Sequence, residues 1–321
     1  MVIDGHNDLV LKRWRGEPGK HIDLETAAEA GFAGGFFAMY VPSRFDGDPP
    51  STPYRMPFAA AIPFDEAARI TEELFETLCA LPVRRAQSVE DFREGAITAI
   101  VHMEGAEAIA EDLSNLQDWY ERGLRSIGLV WSRPNAFAQG VPFAFPSSPD
   151  TGPGLTDAGR SLVRACNELG ILVDVSHLNE RGFWDVVETS DRPIVATHSN
   201  AHALCASTRN LTDAQLDAIR DSGGVVGVNF AVTFLREDGM NDFEATGLDE
   251  IVRHVDYLAD RMGIDHVAFG SDFDGAVVPA ALGGVAGLPR LVDALRRRYE
   301  PDEVDRITHG NWLRVLDATW R

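Results

Sequence analysis

Val2-Ile3-Asp4-Gly5-His6-Asn7-Asp8 is an apolar run that stops on a histidine and an acid, and the same ending recurs along the chain. Ile97-Thr98-Ala99-Ile100-Val101-His102-Met103 stops on Glu104, Ile171-Leu172-Val173-Asp174-Val175-Ser176 on His177, Ile194-Val195-Ala196-Thr197 on His198, and Val267-Ala268-Phe269-Gly270-Ser271 on Asp272. Runs this short and apolar read as strands buried on both faces of a parallel sheet. Five of them ending on nitrogen or oxygen ligands place a metal site at one rim of a parallel barrel. That arrangement points to hydrolytic chemistry.

Outward from these five, apolar runs give eight strands, near 2–8, 32–41, 97–104, 125–131, 171–177, 193–198, 225–231 and 266–272. Between them lie helix signals. Thr156 and Thr212 stand as N-caps before 157–170 and 213–222, and 248–262 puts Leu248, Ile251, Val252, Val255, Leu258 and Met262 on one face. Strand and helix alternating eight times give an α/β chain folded as a (β/α)8 TIM barrel, with a binuclear metal site at the C-terminal rim of the strands. No glycine-rich dinucleotide fingerprint follows any strand, which argues against an open doubly wound sheet. No repeat or linker divides the chain, so 1–321 reads as a single barrel domain. Stretches 42–64 and 132–155, rich in proline, serine and glycine, read as long loops after strands 2 and 4 that shape a pocket.

The chain has 321 residues, 45% hydrophobic and 25% charged, with a formal net charge of −21. Such a field opposes nucleic acid and anionic membrane surfaces, so neither is expected as a partner, and an anionic substrate needs a local cation. Cys79, Cys166 and Cys205 are scattered without a Cys-x-x-Cys pair, which reads as small buried core residues in a reducing compartment. No run reaches membrane-spanning length and the first strand begins at Val2, so cytoplasmic residence is the expectation.

His6 and Asp8 share strand parity, which lets both reach one metal from the barrel mouth. His177 and His198 end neighbouring strands and suit a second. Two cations about 3.5–4 Å apart need a bridging anion, often a carbamylated lysine. This chain has lysine only at Lys12 and Lys20, which leaves Glu104 to bridge, with a hydroxide as second bridge and nucleophile. Asp272 is placed to carry the proton to a leaving amine. Arg209 offers a planar fork for a substrate carboxylate, with a surface salt bridge as the competing reading. His21, His254 and His309 read as surface residues, and His266 begins strand 8 at the opposite rim. His102 reads as a residue one layer beneath the site, His202 lines the pocket, and Asp274 belongs to the loop after strand 8.

Asp4-Gly5-His6-Asn7-Asp8, Met103-Glu104-Gly105, Asp174-Val175-Ser176-His177, Thr197-His198-Ser199-Asn200-Ala201, Arg209-Asn210-Leu211 and Gly270-Ser271-Asp272-Phe273-Asp274-Gly275 together resemble the membrane (renal) dipeptidase family, the zinc dipeptidases of peptidase family M19. Asn311-Trp312-Leu313-Arg314-Val315-Leu316 is similar to the family's closing helix, so the likeness spans the chain. The resemblance implies two zinc ions per chain and dipeptide hydrolysis tolerant of a D-configured C-terminal residue. It implies His6 and Asp8 on one zinc, His177 and His198 on the other, Glu104 between them, Asp272 for the proton and the substrate amine, Arg209 for the terminal carboxylate, and a homodimer.

Two positions depart from the family pattern. Where mammalian members carry a histidine after strand 4 that touches the substrate carbonyl, this chain has Trp131, so oxyanion stabilisation falls to zinc, Arg133 or Asn135. Ala201-His202 replaces the usual Ala-Arg. Two alternatives stay open: another metal-dependent amide or lactone hydrolase of the amidohydrolase type, or a non-catalytic barrel that binds metal or a peptide-like ligand.

Overall fold

Strands β1 (Val2–Asn7), β2 (Phe32–Tyr40), β3 (Thr98–Glu104), β4 (Leu124–Gly128), β5 (Leu172–Asp174), β6 (Val195–Ser199), β7 (Val225–Val228) and β8 (Val267–Phe269) pair in parallel in chain order. β1 also pairs β8, Asp4 opposite Phe269, so the sheet closes on itself as the expected (β/α)8 barrel. The computed structural model describes residues 1–43, 52–93 and 95–320. Helices including Phe64–Ala80, Asp157–Leu169, Asp213–Asp221 and Leu248–Met262 cover the outside of the barrel. Both expected caps form: Gly159 donates its N–H to Thr156 Oγ1 at 3.0 Å, and Thr212 makes a capping box with Gln215. No helix among the described residues is long and apolar enough to cross a membrane.

Why the barrel is solid below and open above follows from which side chains face inward. Ile3, Phe36, Ile100, Leu172, Val195, Val225 and Ala268 fill its lower interior, and Trp312 of the C-terminal helix Asn311–Thr319 enters from beneath. The indole donates to Phe269 O at 3.0 Å, so its one polar group is satisfied in the apolar floor. Gly5 and Gly227 make room for it, since a Cβ there would stand 2.7 and 3.0 Å from the indole Cζ2. Polar residues therefore collect in the layers above this plug.

Strands β4, β5, β7 and β8 end three residues before the expected boundary. His177 and Asp272 lie beyond β5 and β8 in left-handed conformations, φ 66° and 59°. A strand continued to these residues would hold to the pleat's alternation; a left-handed turn swings the side chain across the rim instead. Described parts of the two long loops also pair with each other. Tyr54–Arg55 pairs antiparallel with Ala144–Phe145, tying the loop after β2 to the loop after β4, and stretch 42–64 already becomes helical at Phe64. Residues 44–51 of that stretch lie outside the described residues. Cys166 and Cys205 are buried as expected, whereas Cys79 is exposed near the end of its helix.

Candidate metal centre

Directly above the apolar floor, two acids lock the strand ends that carry the histidines. Asp4 accepts the Ser271 N–H at 2.6 Å and its hydroxyl at 2.7 Å, which fixes β1 to the turn after β8. Asp174 accepts the N–H groups of Ser176 and Thr197 at 2.9 and 2.8 Å and the Thr197 hydroxyl at 2.6 Å, which fixes β5 to β6. Burial nevertheless pushes Asp4 up to about 7, because those donors only partly replace water.

One layer higher, His6, Asp8, Glu104, His177, His198 and Asp272 converge. His177 Nε2 and His198 Nε2 lie 3.0 Å apart, and Glu104 Oε1 lies 3.1 Å from the first and 3.6 Å from the second. Glu104 Oε2 turns the other way, 3.6 Å from His6 Nε2, which is itself 3.3 Å from Asp8 Oδ2. Ligands about 2.0–2.1 Å from a tetrahedral zinc stand roughly 3.3–3.4 Å from one another, and these separations, from 3.0 to 3.6 Å, bracket that value. The Asp272 carboxylate comes within 4.8 Å of His6 and Asp8.

The second faces of the histidines support the same assignment. His198 Nδ1 lies 2.8 Å from Thr197 Oγ1, whose hydrogen is given to Asp174, so the imidazole donates from Nδ1 and bares a lone pair at Nε2. His177 Nδ1 lies 2.8 Å from Ser132 Oγ. Burial first, then the charges of Arg209 and His6, hold the pKa values of His177 and His198 well below the ordinary histidine range, so both are neutral, as ligands must be. For His6 burial opposes charge, yet Glu104, Asp8 and Asp272 outweigh it and raise its pKa to about 10. Glu104 is pushed up to about 8, mainly by burial. Facing lone pairs beside crowded buried carboxylates form a donor set that fits divalent cations.

Other expected residues fall around this cluster. Arg209 is buried, gives Nη2–H to the His198 carbonyl at 3.2 Å, lies 5.6 Å over the Phe234 ring and makes no ion pair among the described residues. The surface salt-bridge reading is therefore excluded. Burial lowers its pKa to about 10, so the cation persists at neutral pH. Trp131 is half-buried, its ring 5.7 Å from that of His177.

Arg133 and Asn135 are not placed for the oxyanion role expected of them. Arg133 is fully buried, its Nε–H given to Glu107 at 2.7 Å and an Nη2–H to Val41 O at 2.9 Å. Asn135 donates to Leu129 O and accepts from Phe137 N and Ala138 N, which holds the turn after β4 in shape. A side chain whose polar atoms fold its own loop is not free to solvate an oxyanion.

Two histidines expected at the surface are buried instead. His21 Nδ1 accepts the Asp274 N–H at 2.9 Å, while Asp274 Oδ1 accepts the N–H groups of Lys20 and His21 at 2.6 and 2.9 Å. His254 bridges Ala201 N and Leu235 O beneath the loop after β6. His102 lies in the barrel beneath the cluster, edge-on to His6 with ring centroids 5.7 Å apart, and His202 ties its loop to Ser147 O at 2.8 Å. Asn229 escaped the sequence reading, although it follows β7 as Asp272 follows β8. It gives an amide hydrogen to Asp272 Oδ2 at 2.9 Å.

Comparison with known proteins agrees with this geometry. A metallo peptidase from Rhodobacter sphaeroides, solved with a phosphinate mimic of the dipeptide L-Ala-D-Ala, is 45% identical, with 99% of each chain covered and a TM-score of 0.94. The dipeptidase AC, a metallo peptidase of family M19, is 46% identical over 99% of this chain and 98% of its own, with a TM-score of 0.93. Dipeptidase verJ of Clonostachys rogersoniana is 29% identical over 99% of this chain and 84% of its own length. The family model for membrane dipeptidase, peptidase family M19, matches residues 1–320. With barrel, rim ligands and full-length match in agreement, the chain belongs to the membrane dipeptidase family, the metallo-dipeptidases of family M19.

Proposed function

We propose that the chain hydrolyses small dipeptides, L-Xaa-D-Xaa pairs among them, with two zinc ions, one held by His6, Asp8 and Glu104 and the other by Glu104, His177 and His198. The observation that carries this reading is the divided Glu104 carboxylate, Oε1 toward His177 and His198 and Oε2 toward His6. When bound, the metals polarise a carbonyl and lower the pKa of water toward neutrality. Asp272, steadied at Oδ2 by Asn229, takes the proton from the attacking water and hands it to the leaving nitrogen. Burial, with Asp8 nearby, raises its pKa above the usual carboxylate range, which makes it a better proton holder. Its charge also attracts the substrate's free amine.

Arg209 binds the terminal carboxylate. A buried guanidinium without a counter-charge is costly, and a substrate anion supplies the missing partner. The L-Ala-D-Ala mimic in the Rhodobacter sphaeroides relative supports the stereochemistry. The reading treats 1–321 as one barrel domain, working as a homodimer in the cytoplasm, where the free thiols of Cys79, Cys166 and Cys205 are at home.

The test is metal analysis together with turnover of L-Ala-D-Ala. Two zincs per chain, activity abolished by a chelator and restored by zinc, are expected. Asp272→Asn is expected to keep both zincs and lose roughly 10²–10⁴-fold in kcat. Undiminished turnover in that variant would remove the proton carrier, and a single tightly bound ion would refute the shared Glu104.

A further inference from the structure

Four aromatic rings run from Arg209 around the His177 side of the mouth. Phe234 lies under the Arg209 guanidinium, Phe143 is stacked parallel to Phe234 at 6.1 Å, Trp131 meets Phe143 at 5.5 Å, and Tyr40 meets Trp131 at 5.1 Å. Phe143 and Trp131 also approach the His177 ring, at 6.3 and 5.7 Å. Phe234 and Tyr40, at the two ends, are buried, while Phe143 and Trp131 in the middle stay half-open. Large rings left partly bare beside a buried polar cluster form a surface suited to an apolar group.

The order along this arc says which group. A dipeptide's terminal carboxylate and its C-terminal side chain leave the same carbon, so with the carboxylate on Arg209 that side chain falls against the adjoining rings. We propose that Trp131, with Phe143, forms the subsite for the C-terminal side chain and selects uncharged, apolar residues there over acidic ones. This rests on the dipeptidase reading above and names the substrate class within it. Trp131 carries the selection because Arg133, lying beneath its ring at 5.4 Å, is neutralised by Glu107 and lends the surface no free positive charge. An acidic side chain would lose water on the rings and gain no counter-charge.

The experiment compares kcat/KM of the zinc-loaded protein and its Trp131→Ala and Trp131→Phe variants on L-Ala-Leu, with leucine of either configuration, L-Ala-Gly and L-Ala-D-Asp. Seating an apolar side chain of this size is expected to favour leucine over glycine by roughly tenfold to a hundredfold, with aspartate poorest. The leucine-to-glycine ratio should collapse toward one in Trp131→Ala and survive in Trp131→Phe. General damage to the site slows all substrates together and leaves that ratio in place. An unchanged ratio in Trp131→Ala, or a wild type that prefers aspartate, overturns the subsite while leaving the dipeptidase reading intact; failure of the wild type on every dipeptide overturns both.

Discussion

Gly275 offers the sharpest test of the site because its missing side chain is what lets two carboxylates stand where they do. A Cβ built there would lie 2.1 Å from Asp8 Oδ2 and 2.6 Å from Asp272 Oδ1. Its backbone does not use the left-handed region, and the residue is exposed on its other side, so Gly275→Ala needs no refolding of the turn. The whole perturbation falls on the two acids, which must retreat by about 1 Å or more to reach ordinary contact. A misplacement of about 1 Å in a reacting constellation costs roughly 10²-fold, or about 2.7 kcal/mol of barrier. Gly275→Ala is therefore expected to lose about 10²-fold in kcat/KM on L-Ala-D-Ala, weaken the zinc on the Asp8 side and leave the thermal midpoint of the metal-free protein nearly unchanged. Steady-state kinetics with metal analysis and calorimetry on the same preparation measure all three. Wild-type kcat/KM with a full metal complement would refute the reasoning, since it would mean that the positions of Asp8 and Asp272 do not govern the chemistry.

Ser132→Ala and Thr197→Val remove the hydroxyls behind His177 and His198 and should each weaken zinc roughly 10–100-fold, read by competition with a chromophoric chelator. Unaltered affinity would show that the hydroxyls do not orient the imidazoles. Glu107→Ala strands the buried Arg133 charge and should cost about 3–5 kcal/mol in denaturant unfolding; a loss under 1 kcal/mol would mean that Glu107 is not what neutralises Arg133. His21 has its pKa lowered to about 4 by burial, with Lys20 and Lys12 adding to the effect, so the folded chain binds that proton less readily than the unfolded one. Its contribution is complete above the unfolded value near 6.5 and declines as pH falls from there through 4. His21→Asn, which can still accept a hydrogen bond, should give a shallower loss over that window, and an identical slope in denaturation curves would exclude His21 as its source.

Most of the rim was legible because strand ends are a one-dimensional signal. Apolar runs announce β1, β3, β5, β6 and β8, and a polar residue at the close of a buried strand has few roles except at a site. The same rule applied to β7 would have reached Asn229, which stands one residue past Val228. What stayed hidden depends on contacts between residues far apart in sequence. Arg133 and Asn135 resemble available donors until Glu107, Val41 and the loop's own backbone are seen to occupy them. His21 lies in a loop, and only the approach of Asp274 makes it interior, whereas His254 shares the buried face of its helix with Ile251 and Leu258 and was open to a reading of helical periodicity. The left-handed turns at His177 and Asp272 end their strands early while both side chains still reach the rim, so the strand boundaries were misjudged.

The clasp between Asp4 and Ser271 joins points 267 residues apart along the chain. Because it fixes β1 to the turn bearing Asp272, His6 and Asp272 face each other only after the last strand has docked. Such distant pairing is slow and comes at high entropic cost. During synthesis, a nascent chain already carrying His6, Asp8, Glu104, His177 and His198 still lacks the wall that holds them in register, so metal capture is expected to follow closure of the barrel. Zinc supplied after the ring has sealed should then be taken up faster than zinc supplied to a refolding chain.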